Sequence, residues 1–86
     1  MLKIEKLANG ETTLLKLAGR ISGQDLEELR NLVAEGQPVI NFDLSEVTLV
    51  DLETIRFLGH QELRGVRLVN CSRFVREWIE RERTTN

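Results

Sequence analysis

Over the first twenty positions apolar and polar residues alternate, and after that the period changes. Leu2, Ile4 and Leu7, with Lys3 and Glu5 between them, read as a first strand, and Asn9-Gly10 is the pair that hairpin turns take where positive φ is needed. The second strand, Thr12 to Ala18, sends Leu15 and Leu17 to one face and Leu14, Lys16 and Ala18 to the other, because successive side chains alternate. Gly19-Arg20-Ile21-Ser22-Gly23 breaks that pattern. Ser22 with Asp25 three residues on forms a short acidic capping box, and Leu26, Leu29, Leu32 and Val33 then recur at helical spacing. Gly36, tolerant of a left-handed cap, and Pro38, which lacks an N–H, end this helix.

In the third strand Ile40, Phe42 and Leu44 share one face and Val39, Asn41 and Asp43 the other, and a short loop, Leu44 to Val50, is expected to follow. Asp51 is placed to cap a second helix. Its apolar stripe is expected to be Leu52, Ile55, Leu58 and Leu63 with Gly59, leaving Phe57 off the stripe among Glu53, His60 and Arg64. Gly65 ends this helix, Val66 to Val69 form a fourth strand, and Ser72 caps a last helix with Phe74, Val75, Trp78 and Ile79 on one side. On its other side Arg73/Glu77, Arg76/Glu80 and Glu77/Arg81 stand four residues apart. The order is ββαβαβα. Parallel crossovers are right-handed, so a sheet growing in one direction puts both crossover helices on the same face. The fold class is therefore two-layer α/β, a four-stranded mixed sheet with helices mainly on one face. A single domain is expected over residues 1–83, with 84–86 a frayed tail. The uncovered face, carrying Leu14, Ala18, Val39 and Val69 beside Lys16, Asn41 and Arg67, implies weak self-association or cover by the termini.

Eighty-six residues bury roughly 60 to 65 per cent of the unfolded chain's surface and leave little room for a deep cleft. Twelve basic and fourteen acidic residues give a net charge of −2 with no basic stretch, so nucleic acid is not an expected partner. One cysteine forms no internal disulfide, no signal peptide is expected, and no apolar run approaches the roughly 20 residues of a membrane span. The expected setting is cytoplasmic.

The chain is poor in catalytic constellations. His60 and Cys71 are the lone members of their kinds, too few for a metal site of nitrogen and sulfur ligands. Asp43, Glu46, Asp51 and Glu53 are expected around the loop beyond the third strand, where open α/β sheets place ligands. No His, Lys or nucleophile is patterned beside them for acid–base work. Ser22, Ser45 and Ser72 take cap or loop positions, and no phosphate-binding glycine motif is present. No cofactor is implied.

Residues 38–59, PVINFDLSEVTLVDLETIRFLG, together with LLKLAGRI before and GVRLVNCSRFVREWI after, resemble the STAS domain, the family of bacterial anti-sigma-factor antagonists. The resemblance sets Gly19 at the family's glycine after the second strand, Asp43 at the Asp closing the third, and Asp51 at the Asp preceding a phosphorylated Ser or Thr. Leu52 stands in that acceptor's place, Glu53 in that of the second hydroxyl residue and Thr54 in that of a glycine. The resemblance implies a non-catalytic protein–protein interaction module without a phosphorylation switch. Its implied partner is an anti-sigma factor or kinase, a sensor complex, or a transporter to which the chain is an accessory subunit. The expected contact residues are Asp51, Leu52, Glu53, Arg56, Phe57 and His60, with Phe57 as an exposed aromatic anchor. The competing reading is a small-ligand-binding or hydrolytic protein using the acidic loop.

Overall fold

The structure, a computed structural model, describes residues 1–35 and 39–84, with the backbone alone at Val39. Its elements are β1 (Leu2–Ala8), β2 (Thr12–Ile21), a 3₁₀ turn (Gly23–Asp25), α1 (Leu26–Ala34), β3 (Val39–Val50), α2 (Leu52–Leu63), β4 (Arg67–Val69) and α3 (Arg73–Thr84). The expected stop at Gly36 and Pro38 lies outside the described residues, as do positions 85 and 86. Thr84, expected in a frayed tail, is the last residue of α3, and its hydroxyl donates to the Arg81 carbonyl at 3.0 Å.

The four strands lie in the order β1-β2-β3-β4, with β1 antiparallel to β2 and both later pairings parallel. The ββαβαβα mixed sheet is thus as the sequence implied. Gly10 and Glu11 make the hairpin loop: the Asn9 N–H donates to the Thr12 carbonyl at 3.1 Å, and Asn9 Oδ1 accepts from the N–H groups of Glu11 and Thr12 at 3.3 and 3.0 Å. Of the Asn-Gly pair only Gly10 has positive φ (89°), so Asn9 works as a side-chain acceptor and not as the left-handed residue expected of it. At Gly19, φ is 93° and a Cβ would stand 2.5 Å from the Met1 carbonyl oxygen. Only glycine fits there.

The expected loop from Leu44 to Val50 is strand. β3 continues to Val50 and pairs with β2 as far as Ile21. Two register shifts, between the pairs Lys16/Asp43 and Ala18/Glu46 and between Gly19/Val47 and Arg20/Leu49, each place one extra residue in β3. Each bulge breaks the alternation of period two that marks a strand in the sequence. Asp43 consequently sits mid-strand, not at the strand's end.

All three helices share one core with the inner sheet face. Leu15 and Leu17 of β2 and Phe42 of β3 are fully buried against Leu26 and Leu29 of α1, Ile55 and Leu58 of α2, and Ile79 of α3. Each such side chain contributes about 1.5–3 kcal/mol of burial free energy. The Ser22 and Asp25 capping box forms, the Ser22 N–H donating to Asp25 Oδ2 at 2.9 Å, although the 3₁₀ turn precedes α1 proper.

In α2 the buried arc differs from the expected stripe. Leu52 and Leu63 are exposed, whereas Thr54, Phe57 and Gln61 are buried with Ile55, Leu58 and Gly59. A stripe of one third of the circumference suits a helix packed on one side only, but α2 meets α3 through Gly59, whose added Cβ would lie 3.3 Å from Ile79, and meets α1 through Arg30. Phe57 fills the α1 side. Its ring stacks on Phe42 at 6.3 Å between centroids, and the Arg30 guanidinium covers it at 5.5 Å. The exposed aromatic anchor expected at this position is therefore a core residue, 5 % exposed. In α3 Val75 and Ile79 are buried, while Phe74 is exposed and leans on Trp78 at 5.6 Å.

On the open sheet face charged pairs interrupt the apolar positions. Leu14 and Ala18 are half-buried and Leu7 and Val69 exposed, and pairing brings Glu5 beside Lys16, Lys16 beside Asp43, and Asn41 beside Arg67. Lys16 and Glu46 form an ion pair of 2.8 Å across it, which raises the Lys16 pKa. The side chain of Val39, expected on this face, lies outside the description.

Candidate protein-docking surface

Asp51 links the end of β3 to the first turn of α2. Its extended backbone (φ −105°, ψ 177°) lets the side chain fold back over that turn. Oδ1 accepts from the Thr54 N–H at 2.8 Å and lies 2.6 Å from the Thr54 hydroxyl, and Oδ2 accepts from the Gly23 N–H at 2.9 Å. The hydroxyl of Thr54 is buried and has a second acceptor in the Ile21 carbonyl at 3.2 Å. The bond from the Thr54 hydroxyl, more than the two from backbone N–H groups, holds the Asp51 carboxyl below the usual carboxylate range against the opposing effect of burial. Both oxygens are committed to structure, so Asp51 is a clamp and not a free base.

Outward from this clamp, α2 presents Leu52, Glu53, Arg56, His60 and Leu63 on one side, all exposed. Leu52, the first residue of the helix, is 38 % exposed. Glu53 lies over the 3₁₀ turn, where a Cβ added at Gly23 would meet its carboxylate. Arg56 reaches across to α3 and donates from Nε to Glu82 at 3.2 Å. Shallow grooves flank this ridge: one toward α1, with Leu26, Arg30 and Gln61 in its walls, the other toward α3, with Ile55, Gly59 and Ile79. Of the six residues expected to form a contact surface, Leu52, Glu53, Arg56 and His60 are exposed together, Asp51 lies half-buried beneath them, and Phe57 is inside.

The four acidic residues expected around one loop do not converge. Asp43 and Glu46 belong to the open sheet face, and on the order of 20 Å of strand separates Asp43 from Asp51. Asp43 accepts from the Ser45 N–H at 2.9 Å and from Asn70 Nδ2 at 3.2 Å, and the Ser45 bond above all lowers its pKa. A hydrolytic pair needs two groups on one reacting bond, which this spacing does not provide. Among the described residues no group of three or more His, Cys, Asp or Glu side chains could hold a metal ion. Burial pushes the Cys71 thiol up, away from the reactive thiolate.

A polar cluster that the sequence pattern did not single out joins α2 to α3. Glu62 receives Arg76 from both guanidinium nitrogens at 2.8 Å and Arg83 Nη2 at 2.7 Å, and Arg83 also donates to the Gly59 carbonyl at 3.2 Å. The paired hydrogen bonds from Arg76 lower the Glu62 carboxyl to about 2. Two of the expected pairs along α3 form as well, Arg76 with Glu80 at 3.3 Å and Arg73 with Glu77 at 3.7 Å.

No protein-family model and no curated protein sequence matches the chain. Among solved structures, that of the anti-sigma factor antagonist SpoIIAA in its unphosphorylated form matches with a TM-score of 0.68 at 18 % identity, covering 93 % of this chain and 82 % of that one. The chain has the STAS fold. Among the described residues no helix is long and apolar enough to cross a membrane.

Proposed function

We propose that the protein is a non-catalytic docking module that binds a protein partner of a bacterial cytoplasmic regulatory complex through the exposed side of α2. Leu52 is the apolar anchor, and Glu53, Arg56 and His60 form its polar rim. The observation that carries this reading is the exposure of Leu52 and Leu63 on one side of α2 with Glu53, Arg56 and His60, apolar side chains bordered by polar ones as at an interface centre and its rim. The chain's likeness to an anti-sigma factor antagonist supports a protein as the ligand. Leu52 offers no hydroxyl, and the hydroxyl of Thr54 is buried within the Asp51 clamp, so docking here is constitutive and not governed by phosphate.

The test is quantitative capture from bacterial extract with the wild-type protein and with Leu52→Glu, followed by affinity measurement with the purified partner. Leu52→Glu is expected to weaken binding by about tenfold or more while leaving the protein folded. A partner held equally well by both proteins would remove α2 as the docking surface.

A further inference from the structure

The outer edge of β1 is unpaired among the described residues, and its sequence is complementary to itself in one register. The Arg20 N–H donates to the Met1 carbonyl at 3.4 Å and the Asn9 N–H to the Thr12 carbonyl at 3.1 Å. In an antiparallel ladder hydrogen-bonded and non-bonded pairs alternate, so the odd-numbered residues from Met1 to Asn9 direct their N–H and C=O groups toward β2. Leu2, Ile4 and Lys6 therefore direct theirs outward.

We infer that two copies of this chain associate through β1 as antiparallel neighbours centred on Ile4, joining their sheets into one. In this register Ile4 faces Ile4 of the second copy, Leu2 faces Lys6, Lys3 faces Glu5, and Met1 faces Leu7. The outward groups of Leu2, Ile4 and Lys6 then make about six backbone hydrogen bonds. Lys3 and Glu5 fall in the non-bonded pairs, where side chains approach most closely, and form an opposite-charge pair on each side of the axis. Met1 and Leu7 are 99 % and 49 % exposed in the single chain, and each gains an apolar neighbour. Lys6 extends the other way, its ammonium held by Glu35 at 3.2 Å, which leaves its methylene stem beside Leu2 of the second copy.

Neighbouring registers fail. Moving the centre to Glu5 sets two carboxylates against each other, and moving it to Lys3 does the same with two ammonium groups. Lysines on an edge strand ordinarily discourage pairing. Here that guard acts against both neighbouring registers and leaves the one in which Lys3 meets Glu5. The inference concerns the sheet edge and does not depend on docking at α2.

Sedimentation equilibrium under reducing conditions, up to about 1 mM protein, tests it with the wild type, Lys3→Glu, Glu5→Lys and an equimolar mixture of the two variants. The wild type is expected to dimerise. Each variant alone places like charges opposite one another at both positions, and its self-association should fall by at least about tenfold. Mixing restores an opposite-charge pair at both positions, so the mixture should dimerise like the wild type. Circular dichroism establishes that both variants fold. A wild type monomeric throughout, variants that dimerise as it does, or a mixture that stays monomeric would each overturn the inference.

Discussion

Glu62 and Arg76 meet carboxylate to guanidinium through two parallel hydrogen bonds of 2.8 Å, fastening α2 to α3 from opposite sides of β4 in the chain. The pair, with Arg83 as a third member, holds Glu62 at a pKa of about 2 against an ordinary value of 4.5. A carboxyl lowered on folding stabilises the native state fully above its unfolded pKa and loses that stabilisation as pH falls through the folded one. The unfolding free energy is therefore expected to drop between pH 4.5 and about 2. Partial exposure and solvent screening reduce the effect to about 1–2 kcal/mol. Chemical denaturation across this range checks it, with Glu62→Gln as control: the variant should be less stable at neutral pH and show a shallower acid dependence. Equal slopes for the two proteins would mean that other carboxyls carry the acid sensitivity.

Phe57 and Leu52 should separate stability from binding within one helix. Phe57→Ala removes a ring stacked on Phe42 in the core and should cost about 3–5 kcal/mol. Leu52→Ala is expected to cost clearly less, about 1 kcal/mol, because the side chain is 38 % exposed. Urea titrations of both variants decide the point. A loss at Leu52 comparable to that at Phe57 would show that Leu52 is packed in solution.

The Asp51 clamp makes a graded prediction. Asp51→Ala removes the acceptor for Thr54 and for Gly23 and should destabilise the fold by about 2 kcal/mol. Asp51→Asn keeps one oxygen for the helix cap but turns an NH₂ toward the Gly23 N–H, so its loss should be smaller but measurable. Thermal melts that rank the asparagine variant below the alanine one would contradict this assignment of the two oxygens.

Phosphate should not be added between residues 51 and 54 by a serine/threonine kinase of the anti-sigma type. Thr54 carries the one hydroxyl in that segment, buried and bonded to Asp51. Mass spectrometry after incubation with such a kinase is expected to find none; stoichiometric phosphate on Thr54 of the folded protein would reverse the proposal of constitutive docking.

Features written within a few residues of one another were legible in the sequence. The alternation of Leu15 and Leu17 against Leu14 and Lys16, the Ser22 and Asp25 box and the Asp51 cap all depend on neighbours along the chain. The second half of β3 was not legible, because the first extra residue turns Val47 to the inner face, out of the period of two set by Ile40, Phe42 and Leu44, and the second returns Val50 to that period with Leu49 exposed. Phe57 was misplaced for a different reason. A helical wheel gives the angle of a side chain but not how many neighbours the helix has, and α2 lies between two. The Glu62 cluster joins residues 14 and 21 positions apart in chain order on two helices, beyond the reach of any i,i+4 rule. Of the six expected contact residues, Leu52, Glu53, Arg56 and His60 are exposed on one side of α2, Asp51 is half-buried and Phe57 lies in the core.

Because Asp51 Oδ2 binds the Gly23 amide 28 positions away, the start of α2 and the turn ahead of α1 share a single proton contact. That contact gives the Gly23 N–H the character of a built-in probe. Glycine amides resonate apart from most others, and the bond to Asp51 should slow the exchange of this one with solvent. A partner that settles on Leu52 and tightens the first turn of α2 would slow exchange at Gly23 without touching it, whereas one binding the sheet edge at β1 would leave that amide unaltered. One resonance thus distinguishes the two surfaces before any partner has been identified.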